Sequence, residues 1–273
     1  DLVRSRGLGD VYKRQGGDSV KIILEKTREV YKTLPGADAG YAVDEITNLL
    51  SKLLSAPIFV LPEEEKKQGF EVLFDGTSLH KWTGNKNSYV IENGNIYVSA
   101  GYGSGGNLYT QKEYSDFVLR FEFCFDREGV NNGIGIRTPM GVDAAYHGME
   151  IQILDHDAPI YKGLHEYQQH GSVYGIIPAK RVKFGPNGTW NVEEIRAVGD
   201  HITVTVNGEV ILDGNIRTAC KGHNVSKDGS KRNPYTVDHL NHPGLFNKKG
   251  HIGLCGHGAG IRFRNMRVLD LSK

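Results

Sequence analysis

Gly148-Met149-Glu150-Ile151-Gln152-Ile153-Leu154-Asp155 is the stretch on which the reading of this chain turns. Met149, Ile151 and Ile153 alternate with Glu150 and Gln152, the period-two pattern of a strand with one face in an apolar core. The other face carries a carboxylate and an amide side by side. Glu is depleted in strands, so that face is either plain solvent-facing surface or the floor of a cleft.

Working outward, the same alternation recurs. Phe117, Leu119, Phe121, Phe123 and Phe125 alternate with Val118, Arg120, Glu122, Cys124 and Asp126. Asn93-Gly94 and Asn207-Gly208 each sit between strand-like flanks, a strong hairpin signal. Residues 251–271 read as two more strands around Gly256-His257-Gly258-Ala259-Gly260. Many strands, 35 glycines and little helix after Gly69 predict a mainly β sandwich or jelly roll. Residues 155–190, rich in His, Tyr and Gln, read as a long loop, which in a compact domain usually serves function.

The N-terminal part differs. Apolar residues at Val20, Ile23, Leu24, Val30, Tyr31 and Leu34 form a helical stripe, with Asp18 or Ser19 as N-cap and Pro35-Gly36 as stop. A second stripe runs through Ile46, Leu49, Leu50, Leu53 and Leu54. The expected organisation is a disordered or non-native tail over 1–15, a helical hairpin over 16–62, a charged linker over 63–68 and a β domain over 69–273. Residues 1–15 resemble translated adapter sequence and carry no convincing periodicity.

Lys+Arg total 33 and Asp+Glu 32, a net charge of +1, so no bulk field draws nucleic acid or anionic lipid. No apolar run is long enough to span a membrane; Lys52 and Pro57 interrupt the best candidate, 49–61. Three cysteines without a spacing motif argue against a disulfide framework and against zinc.

Four stretches together carry a family resemblance. They are Gly69-Phe70-Glu71-Val72-Leu73-Phe74-Asp75-Gly76 with Trp82; Asn132-Gly133-Ile134-Gly135-Ile136-Arg137; residues 148–155 with Gly171-Ser172-Val173-Tyr174-Gly175; and Gly250-His251-Ile252-Gly253-Leu254 with His257-Gly258 and residues 263–268. In this order they resemble the 3-keto-disaccharide hydrolase domain family, a concanavalin A-like (LamG-like) jelly roll. The preceding helices resemble the end of a HEAT-like repeat. The resemblance implies an unusual glycoside cleavage in a bacterial periplasmic or exported setting. A separate oxidoreductase converts the sugar 3-hydroxyl to a ketone, which acidifies the C2 proton. A base removes that proton, the enolate expels the C1 leaving group, and water adds to the enone. Such a site needs a base near C2, donors for the enolate oxygen and an acid for the leaving oxygen.

The expected catalytic residues are Glu150, on the polar face of its strand, and His257, whose flanking glycines let backbone pass close to a ligand. Arg137, Gln152, His170, Tyr174 and Tyr167 are the expected substrate-binding residues. No cofactor is required, but Glu150, Asp155 and His156 are placed to bind a divalent ion where the strand leaves the sheet. Two other readings stay open. One is a retaining β-glucanase-like glycosidase using Glu150 and Asp155, which a regular strand would put on opposite faces. The other is a non-catalytic carbohydrate-binding module.

Overall fold

A computed structural model describes residues 17–33, 41–48, 58–98 and 106–272. The strands are β1 (Glu71–Phe74), β2 (Trp82–Gly84), β3 (Tyr89–Glu92), β4 (Asn95–Val98), β5 (Leu108–Tyr114), β6 (Phe117–Phe125), β7 (Asn131–Thr138), β8 (Met149–Leu154), β9 (Trp190–Val198), β10 (His201–Val206), β11 (Glu209–Asn215), β12 (Gly250–Cys255) and β13 (Ile261–Asp270). They form two antiparallel sheets. The larger runs β11-β10-β9-β6-β13-β4-β3 with β1 also on β13; the smaller runs β2-β5-β12-β7-β8. The mainly β jelly-roll sandwich expected from the period-two pattern is therefore the fold.

The core lies between the sheets. Phe117, Leu119, Phe121 and Phe123 of β6 face Ile134 and Ile136 of β7 and Met149, Ile151 and Ile153 of β8, all fully buried. Both Asn-Gly hairpins form, with positive φ at Asn93, Gly94, Asn207 and Gly208, the conformation a two-residue turn between twisted strands requires. Residues 155–189 contain two short 3-10 turns and no strand.

Helix α1 spans Gly17–Lys32, so Asp18 and Ser19 lie in its first turn rather than capping it. Residues 41–48 form helix α2. The tail over 1–15, the Pro35-Gly36 stop and Leu49, Leu50, Leu53 and Leu54 lie outside the described residues. The run expected to be a linker is instead helix α3 (Glu63–Gln68), ended by Gly69 at φ 93°. Acidic residues in its first turn and lysines in its last suit the helix dipole. It is also tied to the sheet: Glu65 accepts from Arg120 at 2.9 Å and from Arg267 at 2.8 and 2.9 Å.

One polar pair sits inside the core. His170 was expected to bind substrate, but it is fully buried between the sheets. Its Nδ1 accepts from Leu154 N–H at 3.1 Å, which leaves the ring proton on Nε2, 3.1 Å from Glu193 Oε2. That second contact is close in distance but poorly aligned. Burial pushes the Glu193 carboxyl up, with the nearby imidazole opposing. Removing one member of such a pair strands the other. Glu193→Ala is expected to cost about 3 kcal/mol in urea unfolding; an unchanged midpoint would show that the pair holds nothing in place.

Candidate active site

The outer face of the smaller sheet positions the site. Along β8 the inward residues are Met149, Ile151 and Ile153, so Glu150 and Gln152 face outward. The β7–β8 register sets Glu150 opposite Gly135 and Gln152 opposite Gly133, with no bulge. On the next strand Gly253 lies opposite Gly135 and Cys255 opposite Gly133. The row beside Glu150 therefore has no side chains on two successive strands. Its carboxylate leans over Gly133, where an added Cβ would sit 1.9 Å from Oε1.

His257 follows β12 and closes on Glu150, with Nε2 2.7 Å from Oε1. Glu150 is 4% exposed and His257 43%. The buried carboxylate fixes the ring, and the ring is the member that solvent reaches. The hydrogen bond that His257 donates to Glu150 raises the His257 pKa above 6.5, against the lowering effect of burial; the charges of Glu150 and Asp143 add to the rise. Nδ1 has no protein partner among the described residues.

Both residues open into a cavity of about 540 Å3. Thr83, Asn85, Asn107 and Tyr109 form one wall, and Met140, Val142 and Asp143 the other. Asp143 caps the short helix α4 (Ala144–His147), accepting from Ala145 N–H at 3.0 Å. Tyr109 Oη accepts from Gly141 N–H at 3.0 Å, which ties the two walls together. Asn107 Oδ1 accepts from Gly256 N–H at 3.2 Å, leaving its amide NH2 as a donor beside His257.

A family model described as 3-keto-alpha-glucoside-1,2-lyase-like domain matches residues 69–269. The chain belongs to that family. It is 28% identical over 230 residues to the 3-keto-disaccharide hydrolase of Bacteroides thetaiotaomicron, covering 73% of this chain and 78% of that protein. Crystal structures of two glycosyl hydrolase candidates from Parabacteroides distasonis share the fold. One has a TM-score of 0.63 at 22% identity, covering 78% of this chain and 99% of that one. The other has a TM-score of 0.61 at 25% identity, covering 74% and 99%. The protein is thus a glycoside-cleaving enzyme, and no helix among the described residues is long and apolar enough to cross a membrane.

Within this family frame the structure brings Glu150 and His257 together and redistributes the rest. Arg137 does not reach the cavity. A bulge between His251 and Gly253 and a left-handed φ of 49° at Arg137 break the alternation that would have kept it beside Gly133 and Gly135. Its guanidinium is 1% exposed and donates to Ser115 O at 2.7 Å, Gly199 O at 2.6 Å and Asp116 Oδ1 at 3.0 Å. It is a buried strut between turns. Gln152 shares the face of Glu150 but is buried and donates to Asn131 Oδ1 at 3.2 Å. Tyr167 and Tyr174 do not line the cavity.

The expected metal set also comes apart. Asp155 Oδ2 accepts from Gly129 N–H at 2.9 Å, and buried His156 holds Val182 O at 2.8 Å. Neither is near Glu150. The donors that do converge are Glu150, Cys255 and His257, whose ligand atoms lie within 4.8 Å of one another. Carboxylate, thiolate and imidazole could together hold a transition metal. Burial and then the Glu150 charge push the Cys255 thiol up. Sequence reasoning missed Cys255, Asp143, Asn107 and Tyr109. Only Cys255 had a local signal, its place two residues before His257.

Proposed function

We propose that the protein cleaves 3-keto-glycosides by elimination across C1–C2, with His257 as proton carrier and Glu150 as the buried carboxylate that orients it. The carrying observation is the 2.7 Å Glu150–His257 contact at the floor of the cavity. With Nε2–H held by Glu150, Nδ1 is free to take the C2 proton. The imidazolium so formed is stabilised by the carboxylate. Electrons from the C2–H bond flow into the enolate and then expel the C1 oxygen, which takes the proton back from Nδ1. The products are an enone and the free alcohol, and water adding at C1 completes hydrolysis. The Asn107 amide can donate to the enolate oxygen. An upstream oxidoreductase supplies the ketone, and the name of the Bacteroides relative supports a disaccharide substrate.

The retaining-glycosidase reading loses its second carboxylate, since Asp155 is spent on Gly129 and the strand is regular. The test is chemical. The purified protein is given a glucoside and its 3-keto derivative, and release of the alcohol is followed. Cleavage of the oxidised sugar alone is expected. Cleavage of the plain glucoside, or binding without cleavage of either, overturns the proposal.

A further inference from the structure

Three tyrosines gather beside the cavity without lining it. Residues 172–174 pair with β8 through the Ile151–Val173 bridge, and Tyr174 N–H donates to Glu150 O at 2.9 Å, so Tyr174 stands next to Glu150 on the outer face. Tyr167 meets Tyr174 edge-on, with ring centroids 5.8 Å apart at 90°. Exposed His165 lies flat on Tyr167, 5.3 Å away at 7°. Tyr146 comes from α4, two residues after Ala144, which lines the cavity. Gln168 Nε2 donates to Tyr174 Oη at 3.2 Å.

These rings are not core filling. All three tyrosines are half-buried, and none belongs to the hydrophobic core or the residues packed on it. Asp238 lies behind them, its buried carboxylate 3.0 Å from His242 Nε2. Burial, then Tyr174 and Asp238, push the Tyr146 hydroxyl up to about 12, and the same neighbours raise Tyr167. The arrangement is a shelf of half-buried rings beside Glu150 and α4, next to the cavity.

We propose that this shelf is the subsite for the leaving group, and that it fits a second pyranose ring. A pyranose has an apolar C–H face to lie on the rings and hydroxyls to meet those of the tyrosines. An anionic leaving group would meet Asp143 on the cavity wall. The assignment of the ring to the leaving group rests on the elimination proposed above.

The test compares methyl 3-keto-glucoside with a 3-keto-disaccharide, and measures binding of the unoxidised disaccharide and methyl glucoside by ligand-detected NMR. One aromatic contact is worth about 1 kcal/mol, so Tyr167→Ala should cut the preference for two rings over one by about fivefold in KM and in binding. Tyr167→Phe keeps the face and should retain most of it. An equal loss on both ligands, or none, overturns the subsite. If wild-type protein binds two rings better than one, and Tyr167→Ala erases that preference, the shelf stands even where turnover of the keto sugar is absent. In that case the elimination reading alone fails.

Discussion

Glu150→Gln lowers kcat/KM on a 3-keto-glycoside by at least about 100-fold, the scale of a lost acid–base function. The amide has nearly the same shape, so it fits the space over Gly133 and leaves the strand in register. It no longer carries the charge that stabilises imidazolium. A second readout needs no turnover. In the wild type the bond to Glu150 is the largest cause raising the His257 pKa, and burial is the largest cause lowering it. With the charge removed, the lowering cause is left in command, so the NMR titration midpoint of His257 drops toward or below 6.5. Wild-type turnover in this variant would remove Glu150 from the reaction. A midpoint that stays put would show that the contact is not a coupled pair.

How much of this was readable from sequence depends on the range of the interaction concerned. Period-two alternation is a local property, so β6 and β8 and the two Asn-Gly hairpins were legible. The same alternation correctly put Glu150 and Gln152 outward. It failed at Arg137, because a bulge and one left-handed residue reversed the face, and the bulge shows only in the pairing of β7 with β12. Glu65 shows the same limit from the other side. Glu63-Glu64-Glu65-Lys66-Lys67 has the composition of a solvated linker, and only the distant Arg120 and Arg267 turn it into a docked helix. His170 sits in a motif-like segment, yet its inward direction follows from pairing on β8. Convergence of Glu150 with His257 across 107 positions came from family resemblance; no spacing in the chain contains it.

Gly133→Ala should abolish activity almost as fully as loss of the carboxylate, although Ala is the smallest possible addition. The new Cβ would lie 1.9 Å from Glu150 Oε1 and 2.7 Å from its Cγ and Cδ, closer than real Cβ atoms come. The clashing atoms belong to a side chain, so the backbone of β7 can stay and Glu150 must swing away. Swinging breaks the 2.7 Å contact with His257. The expected result is a fall in kcat/KM of about 100-fold, the same acid–base scale, with β structure retained by circular dichroism. A double variant separates this cause from general damage. In Gly133→Ala/Glu150→Ala the clash is gone, so thermal stability should recover relative to Gly133→Ala while activity stays lost, a non-additivity expected of residues in direct contact. Full activity in Gly133→Ala would mean that the carboxylate has room elsewhere in the cavity to hold His257. The glycine row beneath Glu150 would then have no part in positioning it.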